Sequence, residues 1–114
     1  MNHAIEELRE WGCDIQGAME RMLNDEEFYM ECLKTVLQDS YFMELKRALG
    51  EQDIEQAFVA AHTLKGVLAN LGLTPMLNKA VEIVEPLRAG NGDNLMEKCD
   101  ELIEMRDHLE KILS

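Results

Sequence analysis

Residues 53–72 read DIEQAFVAAHTLKGVLANLG. Ile54, Ala57, Ala61, Leu64, Leu68 and Leu71 recur there at the spacing of a helix with one buried stripe. Asp53 is a natural N-cap, Gln56 completes a capping-box pattern, and Gly72 closes the segment. His62 falls off the stripe by about 130° on a wheel of about 100° per residue, so its imidazole should meet solvent. Gly66 lies one turn later on the same face and Val59 one turn earlier. Glycine inside a helix costs about 1 kcal/mol against alanine. A glycine beside an exposed histidine suggests that something approaches the backbone closely there; the plainer alternative is tight packing of a neighbouring helix. Lys65, three residues after His62, can reach a charge on the imidazole. A neutral imidazole is a nucleophile near neutral pH, and once phosphorylated it carries negative charge that a mobile cation stabilises. Nucleophile, cation and clearance thus fall within one turn, although a lone helical histidine is usually a plain surface residue.

Outward from this segment the helical period persists, and no alternating strand pattern stands out. A short helix is expected from about Ala4 to Trp11, capped by Asn2 and closed by Gly12, and a second from Asp14 to Met22 or Leu23. Asn24 should open a longer helix, with Phe28, Cys32, Leu33, Val36 and Leu37 inward. Asp39 or Ser40 either starts the next helix or kinks the same one; Phe42, Leu45, Ala48 and Leu49 should face inward there, with Gly50 as its C′ residue. Thr74-Pro75 reads as N-cap and N1 of a helix whose core face is Leu77, Ala80, Val81, Val84 and Leu87, and which Pro86 should kink or end early. After the Gly90-Asn91-Gly92 turn, Asp93 should cap a last helix with Leu95, Cys99, Leu102, Leu109 and Ile112 inward. The expected fold is all-α, a single domain over residues 1–114. Short N-terminal helices occupy about 1–23 and an antiparallel up-down-up-down four-helix bundle about 24–113.

The net charge of −12 argues against nucleic acid and against an anionic membrane surface, both of which need clustered Lys and Arg. A basic or metal-loaded protein partner is more natural, although the acid also serves simply for solubility. Cys13, Cys32 and Cys99 are odd in number and far apart, which argues against a disulfide framework and a zinc site and fits a reducing cytosol. There is no signal peptide pattern and no apolar run of membrane-spanning length. Met1 and the complete caps read as a free-standing bacterial-type protein, with an excised domain as the alternative.

His62-Thr63-Leu64-Lys65-Gly66, followed by Asn70-Leu71-Gly72, resembles the phosphorylation motif of histidine-containing phosphotransfer (HPt) domains. Asp14-Ile15 with Gly17, Met19, Glu20 and Arg21, then Asp25 to Tyr29, resembles the family's N-terminal pattern, and the last turn and helix also fit. The resemblance implies that His62 is the phosphoacceptor through Nε2, that Lys65 stabilises the phosphoryl group, and that Gly66 leaves room for a receiver domain. Arg88 matches a position where some members place a second basic residue; Pro86 just before it bears on where that side chain points. Where some members set a polar side chain beside the histidine, this chain has Val84; either the adjacent Glu85 substitutes or the contact is missing. The expected partners are response-regulator receivers and a hybrid histidine kinase, met by a cytoplasmic monomer. The receiver would bring Mg²⁺, and this chain would need no cofactor or metal of its own. Receiver contact is expected along Val59, His62, Gly66 and Ala69, with Phe58 and Asn70 at the margin.

No Walker-type or kinase glycine-rich loop occurs, so the chain reads as a phosphocarrier without ATP-dependent activity. A helical bundle that sequesters a receiver without relaying phosphate is the alternative, and the intact His62, Lys65 and Gly66 argue against it. A di-iron bundle enzyme would need Glu-x-x-His pairs; the residues three before His62 and His108 are Val59 and Met105, and His3 has no such position. His3 at the terminus and His108 near the last helix's end lack the Lys-Gly neighbourhood and read as inert.

Overall fold

The structure, a computed structural model, describes residues 3–114. They form seven helices and no strand: α1 (His3–Trp11), α2 (Ile15–Arg21), α3 (Glu26–Leu37), α4 (Tyr41–Gly50), α5 (Ile54–Asn70), α6 (Thr74–Arg88) and α7 (Met96–Leu113). Helices α4 to α7 form a closed ring in which α5 packs on α4 and α6, and α7 packs on α6 and α4. Short links between these neighbours give the antiparallel bundle. Helices α1 and α3 pack on α7, with α2 between them in sequence and against both. The long axis is 45 Å, well beyond the about 27 Å of an 18-residue helix. Contacts of Asp14, Arg21 and Tyr29 with the end of α5 put the N-terminal helices at that end of the bundle.

Chain entry into three helices follows one device. The carboxylates of Asp14, Asp25 and Asp53 each accept the backbone N–H three residues on, from Gly17, Phe28 and Gln56, at 3.0, 3.0 and 3.1 Å. For α3 this moves the cap from Asn24 to Asp25; Asn24 and Leu23 both take positive φ in the link, at 58° and 56°. The phase moves with the cap. Tyr29 is fully buried while Phe28 is 52% exposed, and Cys32 and Leu37 are only half-buried. The chain breaks at residues 38–40, so α3 and α4 are separate helices; Asp39 Oδ1 accepts the Tyr41 N–H at 2.8 Å.

Other boundaries also shift. Gly50 is the last residue of α4, and Gln52 instead takes the left-handed position at φ 58°. Leu49 and Ile54 are half-buried. Leu73, not Thr74, is the cap of α6, and Thr74 Oγ1 reaches back to the Gly72 carbonyl at 3.4 Å. Its core face is Met76, Ala80, Ile83, Val84 and Leu87, leaving Leu77 and Val81 half-buried. Pro86 neither ends nor shortens α6, which runs on to Arg88. Proline forfeits a single N–H there, and the end is closed by Asn91 N–H to Pro86 O at 2.9 Å around Gly90 at φ 82°. Asp93 does not cap α7: its N–H is held by Asn91 Oδ1 at 2.9 Å, Asn94 is left-handed, and the helix begins at Met96 after Leu95. The inward set of the last helix, Leu95, Cys99, Leu102, Leu109 and Ile112, is buried as read from the sequence. Asn2, the cap expected for α1, lies outside the described residues.

The C-terminus of α5 is satisfied from outside the bundle. Arg21 donates through Nε to Asn70 O at 2.9 Å and through Nη2 to Ala69 O at 3.0 Å. Tyr29 Oη donates to Leu71 O at 2.8 Å, and Asp14 N–H to Gly72 O at 2.8 Å. Gly72 has φ 68°, and a Cβ there would run into the Asp14 carbonyl, so only glycine allows this junction.

Candidate functional site

Helix α5 is held tightly on its inner side. Ala57, Ala60, Ala61, Leu64 and Leu68 are fully buried, and the three alanines let α4 and α6 approach its backbone. The opposite side carries Val59, His62, Gly66 and Ala69, all exposed. A Cβ added at Gly66 would meet nothing within 4 Å. Close packing of a neighbouring helix therefore does not account for this glycine. It opens clear space on the face that His62 occupies.

The surroundings of His62 are sparse. Its ring stacks on Phe58 with centroids 5.4 Å apart and planes at 30°. Arg88, on α6, lays its guanidinium 5.4 Å from the centroid of the same Phe58 ring. Glu85 pairs with Arg88 at 3.5 Å, and among the described residues no hydrogen bond or ion pair joins it to His62. Val84 is fully buried, so no polar group reaches His62 from that position. Lys65 is half-buried one turn along, and among the described residues it has no ion-pair partner, which leaves its ammonium available to a group on the imidazole. Thr63 Oγ1 donates to Val59 O at 2.8 Å and so turns back along its own helix.

Gly66, Val67 and Asn70 also border a groove of about 930 Å³ shared with Met22, Cys32 and the 38–40 break. Ala69 and Asn70 are exposed, and their carbonyls are the ones held by Arg21. The structure thus gathers His62, Phe58 and Arg88 around one ring, with Lys65 and Gly66 a turn away, and leaves Glu85 as the tether of Arg88. Sequence reading put Phe58 only at the margin and did not pair it with Arg88. Its signal was an aromatic ring four residues before a histidine, a spacing that brings side chains together on a helix.

The other histidines sit elsewhere. His3 opens α1, and His108 meets the Trp11 ring edge-on at 4.7 Å. Among the described residues no three His, Cys, Asp or Glu side chains converge so as to hold a metal ion, and no helix is long and apolar enough to cross a membrane. Burial pushes the Cys13 and Cys99 thiols up to about 11 from an ordinary 9.0, so both are inert at neutral pH.

Residues 32–113 match the family model described as Hpt domain. The chain belongs to the Hpt domain family. No curated protein and no solved structure matches it. HPt domains are helical phosphotransfer carriers that work with receiver domains and histidine kinases and are not kinases in themselves. The match takes in the whole α4–α7 ring and the His62 helix. It begins within α3, so the N-terminal pattern from Asp14 to Tyr29 lies outside it, although those residues cap α5 in this HPt domain.

Proposed function

We propose that this HPt domain carries a phosphoryl group on Nε2 of His62 between receiver domains. The observation that carries the reading is the open face beside His62: an exposed imidazole with a glycine one turn on, above which a side chain would find empty space. The neutral imidazole attacks the phosphorus of a receiver's aspartyl phosphate in line. The Nε2–P bond forms as the P–O bond to the aspartate breaks, and the bonding pair leaves on the carboxylate. The Nδ1 proton stays on the ring, so the product is an N-phosphoimidazolium and charge is conserved. A second receiver's aspartate reverses the step. The receiver supplies the Mg²⁺ that neutralises charge in transfer.

Lys65 and Arg88 supply cations for the phosphoryl group, Arg88 tethered by Glu85. Val59 and Ala69 give the docking strip its small apolar surface, with Phe58 and Asn70 at its edges. The domain acts as a cytoplasmic monomer served by a hybrid histidine kinase. Incubation with a phosphorylated receiver should place one acid-labile phosphoryl group on the chain. His62→Gln should abolish the label, whereas substitution of His3 or His108 should leave it. Label that survives His62→Gln would sink the assignment. Tight receiver binding with no transfer in either direction would make the chain a sequestering module instead.

A further inference from the structure

Histidines that do chemistry are commonly oriented by a hydrogen bond from the second ring nitrogen to a carboxylate or carbonyl. His62 has no such bond: among the described residues no hydrogen bond or ion pair reaches its ring, and its one ring contact is the stacked Phe58. On an open helix face an unbonded imidazole would exchange between rotamers on a fast timescale. The Phe58 ring also receives the Arg88 guanidinium, whose Nε is held by Glu85. One phenyl group therefore touches both the nucleophile and a nearby cation.

We propose that Phe58 is the positioning residue of the site: its ring orients the His62 imidazole by stacking and seats Arg88 beside it. This rests on the reading of His62 as phosphoacceptor. A phenyl ring suits that task. A carboxylate partner would raise the imidazole's proton affinity and repel the incoming phosphate. A phenyl face adds no charge, leaves both ring nitrogens open, and attracts the positive imidazolium ring that exists once Nε2 bears the phosphoryl group. The phenyl ring also attracts the guanidinium, so a single uncharged group contacts both His62 and Arg88.

Phe58 is also half-buried and packs against the core beside a shallow notch formed with Ile54, Val59, Leu87 and Arg88. The test must separate that filling role from orientation. Phe58→Leu keeps an apolar filler and loses the ring; Phe58→Tyr keeps the ring. The His62 ring protons should be shifted upfield by the stacked ring in the NMR spectrum of the wild-type chain and of Phe58→Tyr, and should return to ordinary positions in Phe58→Leu. That reading needs no receiver. In transfer from a phosphorylated receiver, Phe58→Leu should lower the maximal rate about ten-fold through misorientation, with little change in the half-saturating receiver concentration. Phe58→Tyr should restore the rate. Thermal unfolding identifies any variant that has lost its fold. Absence of the upfield shift in the wild-type chain overturns the stacking itself. A folded Phe58→Leu that reaches the wild-type maximal rate overturns the positioning role, as does a loss confined to the half-saturating concentration, which would make Phe58 a docking residue. If the shift is present but the wild-type chain accepts no phosphoryl group, the phosphoacceptor reading fails and this role falls with it.

Discussion

A side chain at position 66 would cost this chain nothing on its own account. Nothing lies within 4 Å of the place a Cβ would occupy, and glycine in a helix interior is the weaker helix former. Gly66→Ala should therefore stabilise the domain by about 1 kcal/mol, visible as a rise of several degrees in the thermal midpoint. Gly66→Gln should keep most of that gain and yet obstruct transfer by bulk. Unfolding and transfer rate measured on the same preparations check both halves. A stable Gly66→Gln chain that transfers at the wild-type rate would remove the docking strip from this face. The exposure of His62 and the openness at Gly66 were legible because they depend only on helical phase within one uninterrupted helix. The Phe58–Arg88 contact was not, because it depends on how side chains from α5 and α6 turn toward each other across a helix pair. The neighbours Phe28 and Tyr29 show the same limit at closer range. Moving the cap by one residue, from Asn24 to Asp25, goes with the exchange of which ring is buried.

Helix α5 ends without a basic residue in its own last turn, and its terminal carbonyls take donors from α2, α3 and the α1–α2 link instead. The Tyr29 hydroxyl is the buried member of this set. Tyr29→Phe should leave the shape of the core intact but orphan a carbonyl, at a cost of about 1–2 kcal/mol in denaturant unfolding. Arg21→Ala removes two bonds from a more exposed place and should cost less, because water replaces them. Equal effects from the two would mean that burial does not set the worth of these bonds. Starts of helices were partly readable, since Asp14 and Asp53 stand where their caps were expected. The start of α7 was not. Asn91, Asp93 and Asn94 are all residues that favour turns, and the one that closes the local loop is settled by the Asn91 side chain taking the Asp93 N–H. Thr74 carries the usual cap chemistry, yet its hydroxyl is turned back to Gly72, so the cap falls on Leu73.

For the molecule as a whole, the stretch that matches the family and the stretch that folds together differ. The match begins at residue 32, whereas Asp14, Arg21 and Tyr29 complete the end of the His62 helix, and Ile5, Leu8, Ile15 and Ala18 belong to the same buried core. A chain shortened to residues 32–114 should lose its cooperative thermal transition and bind a hydrophobic dye. A sharp transition near that of the full chain would contradict this. The buried thiols add a pH dependence. Cys13 and Cys99 titrate near 11 when folded against 9.0 for an ordinary thiol, so the folded state keeps protons that the unfolded state releases first. Their contribution is complete below about pH 9 and falls away as pH rises toward 11. Denaturant midpoints should decline across that window, and the decline should flatten in a Cys13→Ala, Cys99→Ala double variant. An unchanged slope in that variant would assign the alkaline loss to other groups, such as Tyr29, whose hydroxyl is also pushed well up by burial.

The clear space over Gly66 has one more consequence. His62 stands exposed on an open helix face, and among the described residues nothing lies over the neighbouring Gly66. Between encounters a phosphoryl group there would be open to bulk solvent, and its lifetime would follow the intrinsic hydrolysis of a phosphoimidazole as altered by the Lys65 and Arg88 cations. Kinetically the domain then resembles a macromolecular reagent more than a catalyst. On that reading it would store transfer potential in one bond, and an enclosed reaction chamber would exist only while a partner covered that face.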